Sequence, residues 1–194
     1  MVMKQVILVT GTPCVGKTTL AIRLAERLDA LYINLTNYAK KNSLILNEDI
    51  QRGTVIVAET KMRQALTDTI NQSICSVVVD GHFAASVVPG DLSTCVFVLR
   101  RNPVELRGYM QKEGFSNAKI YENLAAEILD VCLVEAIGVH KGKVCEVDVT
   151  GKLVEQTLDE CLLVICKEKE CFYGFIDWIE FLEREGLTDQ YLNC

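Results

Sequence analysis

The chain of 194 residues predicts an α/β protein of three layers, five parallel strands lying between two sets of helices. Three observations carry that expectation. Short apolar runs recur along the chain, and amphipathic stretches separate them, the pattern of a parallel sheet covered by helices. The first apolar run also opens directly into a glycine-rich loop that a helical pattern follows.

That first run, Gln5 to Thr10, reads as a buried strand. The loop after it is Gly11-Thr-Pro-Cys-Val-Gly-Lys-Thr18. From Thr18 to Leu28, the residues Leu20, Ile22, Leu24, Ala25 and Leu28 fall largely along one helical face. Further strands are expected at Leu31 to Leu35, Cys75 to Val79, Thr94 to Leu99 and Val144 to Val149, and a strong helical pattern runs from Ala118 to Ile137. The whole chain, 1–194, is expected to form one domain, with 49% hydrophobic residues to fill its core. Two connections stand out as candidate moving parts: the polar, irregular stretch Asn34 to Val57, and the glycine-containing stretch Arg107 to Lys119.

Strand, loop and helix together give the glycine-rich motif its meaning, because successive backbone N–H groups then converge on phosphate oxygens at a helix N-terminus. Amides from Cys14 through Val15, Gly16, Lys17, Thr18 and Thr19 surround a phosphate, Lys17 reaches the outer oxygens, and the Thr18 hydroxyl ligates Mg2+. Ligands of such sheets bind beyond the carboxyl ends of the strands. There the sequence places Asp80-Gly81-His82, a carboxylate suited to holding Mg2+ through water; the lesser reading is a turn-forming Asp-Gly pair. His82 either orients a water or phosphate or packs against the loop. At the next tip stand Arg100 and Arg101, each either a clamp on transferring charge or a surface residue, before Asn102-Pro103 opens a helix.

A net charge of −6 argues against a strong direct nucleic-acid footprint, and no apolar run approaches the roughly 18 residues of a membrane span. The start lacks the pattern of a secretory signal, so a cytoplasmic location is expected. None of the nine cysteines forms a Cys-x-x-Cys pair. Most read as small buried hydrophobes, with Cys161, Cys166 and Cys171 scattered around a helix and Cys194 a free terminal thiol.

The runs GTPCVGKTT, LYINL, VVVDGH, VFVLRRNP, NLAAEILDVCLVEA and EVDVTGK, in order over roughly residues 4 to 165, resemble the isoenzyme-six branch of the adenylate kinases. These are small archaeal or nuclear kinases that also serve as ribosome-biogenesis ATPases. The resemblance implies a P-loop NTPase fold of the nucleoside monophosphate kinase type, and phosphoryl transfer from ATP with Mg2+ to a monophosphate such as AMP, alongside ATP hydrolysis. It further implies a role in late small-subunit maturation through a platform ribosomal protein, with a nuclear location if the source is eukaryotic. By this resemblance the triphosphate site comprises Cys14 to Thr19, with Val149 to Lys152, Gly151 and Lys152 among them, at the adenine, and the catalytic tip comprises Asp80 and His82; Lys17 joins them, with Arg100, or else Arg101 or Arg107, expected to complete the clamp. Thr18 and Asp80 hold the metal; Asn34, Lys40 and Arg52 serve the monophosphate; Arg107, Lys112 and Glu113 belong to the lid.

Three departures matter. Cys14 replaces a loop glycine, which is tolerable only if its backbone angles suit an ordinary residue. Glu113 and Tyr109 replace lid arginines, and a carboxylate near phosphates repels where arginine attracts. Lys40 keeps the charge of an arginine but loses its fork. The leading reading is a monophosphate kinase; the alternatives are an ATP-switched assembly factor with little turnover and a small-metabolite kinase.

Overall fold

In a computed structural model, which describes residues 4–49 and 54–192, five strands form one parallel sheet in the order β2-β5-β1-β6-β7. These are β1 (Val6–Gly11), β2 (Leu31–Asn34), β5 (Val77–Asp80), β6 (Cys95–Arg100) and β7 (Val144–Asp148), each within two residues of the position the apolar runs predict. The inner strands read as continuous apolar runs because both their faces are covered. Alternate residues of β1 serve opposite cores: Ile7 and Val9 face one, Val6 and Leu8 the other.

The first core is closed by α1 (Lys17–Leu28), α5 (Pro103–Lys112), α6 (Asn117–Ile128), α8 (Val154–Ile165), α9 (Trp178–Arg184) and α10 (Thr188–Leu192). The second is closed by α2 (Leu35–Lys41), α3 (Glu59–Gln72), α4 (Ala84–Val87) and α7 (Val131–Val139). Fully buried Leu8, Leu24 and Leu66 illustrate the driving force, about 1.5–3 kcal/mol for each such side chain. In this order β1 lies between β5 and β6, so the chain leaves it in one direction and later returns to its other side. The carboxyl end of β1 is therefore a topological switch point, and the glycine-rich loop sits on it.

Three elements differ from the sequence expectation. Residues 34–57 are not irregular: Asn34 caps α2 by accepting from the Asn37 N–H at 3.1 Å, and β3 (Ile45–Asp49) pairs antiparallel with β4 (Thr54–Val57) as a separate ribbon. The helical pattern 118–137 breaks into α6 and α7 where Asp130 adopts φ 58°. Arg107 to Lys112 continue α5, which Asn102 caps with Pro103 in its first turn and which ends before Gly114 at φ 74°. Only 113–116 form a connecting turn. Arg52 and Cys194 lie outside the described residues.

The cysteines also part from expectation. Among the described residues only Cys95, Cys145 and Cys161 are buried; Cys14, Cys75 and Cys132 are half-buried, and Cys166 and Cys171 are exposed beyond the end of α8, so the three evenly spaced thiols do not share a helix. All eight cysteines among the described residues are free thiols.

Candidate functional site

The loop between β1 and α1 is built on backbone that side chains would obstruct. A Cβ on Gly11, at φ 135°, would stand 2.5 Å from the Leu99 carbonyl oxygen, and Gly16 turns into α1 at φ 109°. Cys14 takes φ 69°, so the position does favour glycine and the cysteine bears left-handed strain there. Half-buried Lys17 folds back over the loop, its Nζ donating to the Thr12 carbonyl at 2.8 Å. Burial lowers its pKa, and the Asp80 charge acts against that shift.

Asp80, 1% exposed at the tip of β5, collects three donors on one carboxylate oxygen. Its Oδ2 accepts from the Thr18 hydroxyl at 2.8 Å, the Tyr32 hydroxyl at 3.0 Å and Asn34 Nδ2 at 2.8 Å. Its Oδ1 is buried with no hydrogen-bond partner, the one such side-chain atom among the described residues. Buried polar atoms are rarely left so. An anionic oxygen beside a threonine hydroxyl suits a hydrated hard cation, and Mg2+ fits this donor set. The same carboxylate, after burial, pushes the Tyr32 hydroxyl up to about 12.

His82, one turn beyond, stands edge-on to Phe83 with centroids 4.8 Å apart. Although the residue meets solvent, the surrounding protein and then the Lys17 charge push its pKa down to about 4, so the ring is neutral at pH 7. The Thr10 hydroxyl pins this tip by donating to the His82 carbonyl at 3.0 Å.

Two cavities flank the loop. One, about 570 Å³, is walled by Cys14 to Leu20 together with Arg101, Tyr109, Glu113, Val149 and Lys152. The other, about 530 Å³, is walled by Thr12, Pro13, Thr36, Ala39, His82 and residues of α6 and α7. Phe115 lines both.

The tip of β6 divides its two arginines. Arg100 is turned away from both cavities, with Nε on Glu127 at 2.9 Å, Nη1 on Glu146 at 2.6 Å and Nη2 on Asp130 at 2.5 Å. Burial works against its charge, but these carboxylates, Glu127 first, raise its pKa. The expectation of Arg100 as a phosphate clamp is therefore corrected: three carboxylates already occupy its fork. Arg101 takes the loop side instead, donating to the Val15 carbonyl at 3.3 and 3.4 Å, pairing with Glu105 at 2.8 Å and stacking on Tyr109.

Other predicted residues are distributed unevenly. Lys152 lines the larger cavity and pairs with Glu160 at 2.8 Å, while the Gly151 N–H donates to Glu105. Both ends of the Asn34 amide are engaged, by Asp80 and by the cap of α2. Lys40 is exposed and outside the second cavity's wall, which takes Thr36 and Ala39 from its helix. Of the lid residues, Glu113 lines the larger cavity, Lys112 lies over Tyr109, and Arg107 lies over Tyr191 on α10. Sequence reasoning missed Glu127, buried where three groups meet the loop. Its signal was an acid seven residues after Ile120 and three after Leu124, on the apolar face of α6.

Comparison with known proteins places these features in a lineage. Residues 7–130 match the family model described as "AAA domain". A protein of Methanocaldococcus jannaschii described as "Putative adenylate kinase" is 36% identical over 174 residues, covering 90% of this chain and 93% of that protein. A Pyrococcus furiosus protein of the same description is 35% identical, with 92% and 94% covered. Among solved structures, a gluconokinase from Sinorhizobium meliloti aligns with a TM-score of 0.53 at 16% identity, over 84% of this chain and 93% of its own, a likeness of fold.

Proposed function

We propose that this chain, which belongs to the adenylate-kinase-like family, transfers the terminal phosphoryl group of ATP to a nucleoside monophosphate, AMP foremost. The observation that carries this reading is the pair of cavities on either side of one phosphate-binding loop, meeting at Phe115. One suits a triphosphate on the loop amides, the other an acceptor whose phosphate approaches past Thr12 and His82.

Catalysis on this reading is positioning and electrostatics, with no covalent intermediate. Mg2+, if bound, would supply positive charge against the charge that develops on the transferring phosphoryl group. Thr18 and the unpartnered Asp80 Oδ1 are the groups that would hold it. Tyr32 and Asn34 fix the Asp80 carboxylate by loading its other oxygen. Lys17 exchanges the Thr12 carbonyl for the phosphate oxygens, and Arg101, held on the Val15 carbonyl, brings the second positive charge. Neutral His82 is suited to orienting the acceptor as a hydrogen-bonding group without adding charge. Lys112, Arg107 and Glu113 belong to the element that closes over the larger cavity.

A second reading is supported by Glu113 in the wall of the nucleotide cavity, where its charge opposes tight closure. Slow hydrolysis of ATP, with little transfer to a monophosphate, would then be the main reaction, and the resemblance to ribosome-biogenesis kinases supports a role for that cycle on a small-subunit platform protein. The test of the primary reading is ADP production by the purified chain with ATP and Mg2+, with and without AMP. A sharp rise with AMP, abolished in Lys17→Ala, is expected. Slow turnover indifferent to AMP would favour the second reading.

A further inference from the structure

We propose that Glu127 is a positioning residue for the phosphate-binding loop and that the C-terminal segment carrying Trp178 sets its carboxylate; this rests on the phosphoryl-transfer reading. The Glu127 side chain is 1% exposed. Its Oε2 accepts from the Thr12 hydroxyl at 2.5 Å. Its Oε1 accepts from Trp178 Nε1 at 3.0 Å, Arg100 Nε at 2.9 Å and the Arg101 backbone N–H at 3.1 Å.

Both loop contacts of this carboxylate matter to the chemistry. Thr12 is the residue whose carbonyl holds Lys17, and Arg101 is the residue whose guanidinium reaches Val15. Glu127 thus grips the loop directly at Thr12 and indirectly at Val15. An ionised carboxylate suits four donors, because both oxygens accept and charge-assisted bonds are the shorter and stronger kind.

The C-terminal segment reaches this group by two routes. Trp178 donates to it from the start of α9. Just before α9, the Gly174 and Phe175 N–H groups donate to Glu146 Oε2 at 2.8 and 3.3 Å, and Glu146 Oε1 holds the Arg100 that also binds Glu127. Trp178 lines neither cavity at the loop. Its influence on turnover is therefore indirect, through the carboxylate and through Arg100, whose guanidinium lies 5.9 Å from the indole centroid; displacements of about 1 Å in a reacting geometry are worth as much as 100-fold in rate.

The test uses the full chain and two variants that each delete one hydrogen bond, Trp178→Phe and Thr12→Val, with Thr12→Ser as the conservative rescue. Steady-state kcat and KM for ATP are measured with AMP as acceptor, corrected for the folded fraction from urea unfolding. Each deletion is expected to lower kcat about 3- to 30-fold with KM within about twofold. Thr12→Ser should recover most of the rate, and the double variant should be no worse than the worse single one, since both act on one carboxylate. Trp178 is also the sole tryptophan, so its emission should change on ATP binding and the change should vanish in Thr12→Val. Wild-type kcat in both folded variants, or losses that multiply in the double variant, would overturn the proposal. Failure of the wild-type chain to bind or turn over ATP would instead sink the phosphoryl-transfer reading, and the proposal with it.

Discussion

Two buried charged side chains stand at the ends of the strands on either side of β1 and behave in opposite ways. At the end of β5, Asp80 has three donors crowded on one oxygen and nothing on the other. At the end of β6, Arg100 meets three carboxylates and leaves no fork nitrogen unpaired. The first arrangement is incomplete and suits a ligand; the second is complete and holds helices and strands together. Position at a strand tip makes both candidates, and only hydrogen-bond satisfaction separates them.

The largest effect should come from the incomplete site. Asp80→Asn keeps shape and removes the charge, and turnover should fall about 100-fold or more, as for other losses of preorganised charge. Its unfolding free energy in urea should hold or rise, because a buried charge with an unpartnered oxygen is removed. A parallel loss of stability would mean that Asp80 is structural like Arg100.

Arg100→Met reverses the pattern. It strands Glu127 and Glu146 in the interior, and a loss of about 3–5 kcal/mol of unfolding free energy is expected for a broken buried ion cluster. Near-wild-type stability would erase the contrast on which the comparison stands.

How far the sequence reveals this contrast follows from its physics. All five sheet strands were legible: the inner three are largely apolar because both faces are covered, and the edge strands β2 and β7 keep short apolar runs despite Asn34 and Glu146. The loop was legible because its glycines are demanded by close approach, as at Gly11 beneath Leu99. The β3-β4 ribbon was not, because β3 turns polar after Ile45 and Leu46 and β4 is a largely apolar run of four residues, so neither shows an alternation. Nor was the break at Asp130, where the apolar pattern continues across the gap. The choice between Arg100 and Arg101 depended on Glu127 of α6, Asp130 at the α6–α7 junction and Glu146 of β7 converging on one side chain, which spacing along the chain does not encode.

A smaller effect concerns pH. His140 is buried, its Nε2–H donating to the Ala85 carbonyl at 3.0 Å and its Nδ1 facing the Ser93 hydroxyl at 2.8 Å. Burial, and secondarily the Lys143 charge, lower its pKa from the ordinary histidine value; the Ala85 contact opposes them. Below about pH 6.5 the unfolded chain therefore takes up a proton that the folded chain refuses, and stability falls as pH drops. His82 adds the same slope. Glu146, raised by burial, contributes the opposite one at lower pH. The difference in unfolding free energy between wild type and His140→Gln should therefore change between pH 7 and 5; a constant difference would count against a neutral buried imidazole.

The smallest effect tests the loop itself. Cys14→Gly removes a side chain held at φ 69° and should stabilise the fold by about 1 kcal/mol, read as a higher urea midpoint with unchanged slope. A destabilised variant would show that the cysteine's packing outweighs its strain.

The central claim, that two cavities on one loop exchange a phosphoryl group, is tested most directly by following the label from terminally labelled ATP in the presence of AMP and Mg2+. Label recovered chiefly in ADP newly formed from AMP is the predicted result. Label recovered only as inorganic phosphate, at every AMP concentration, would contradict it.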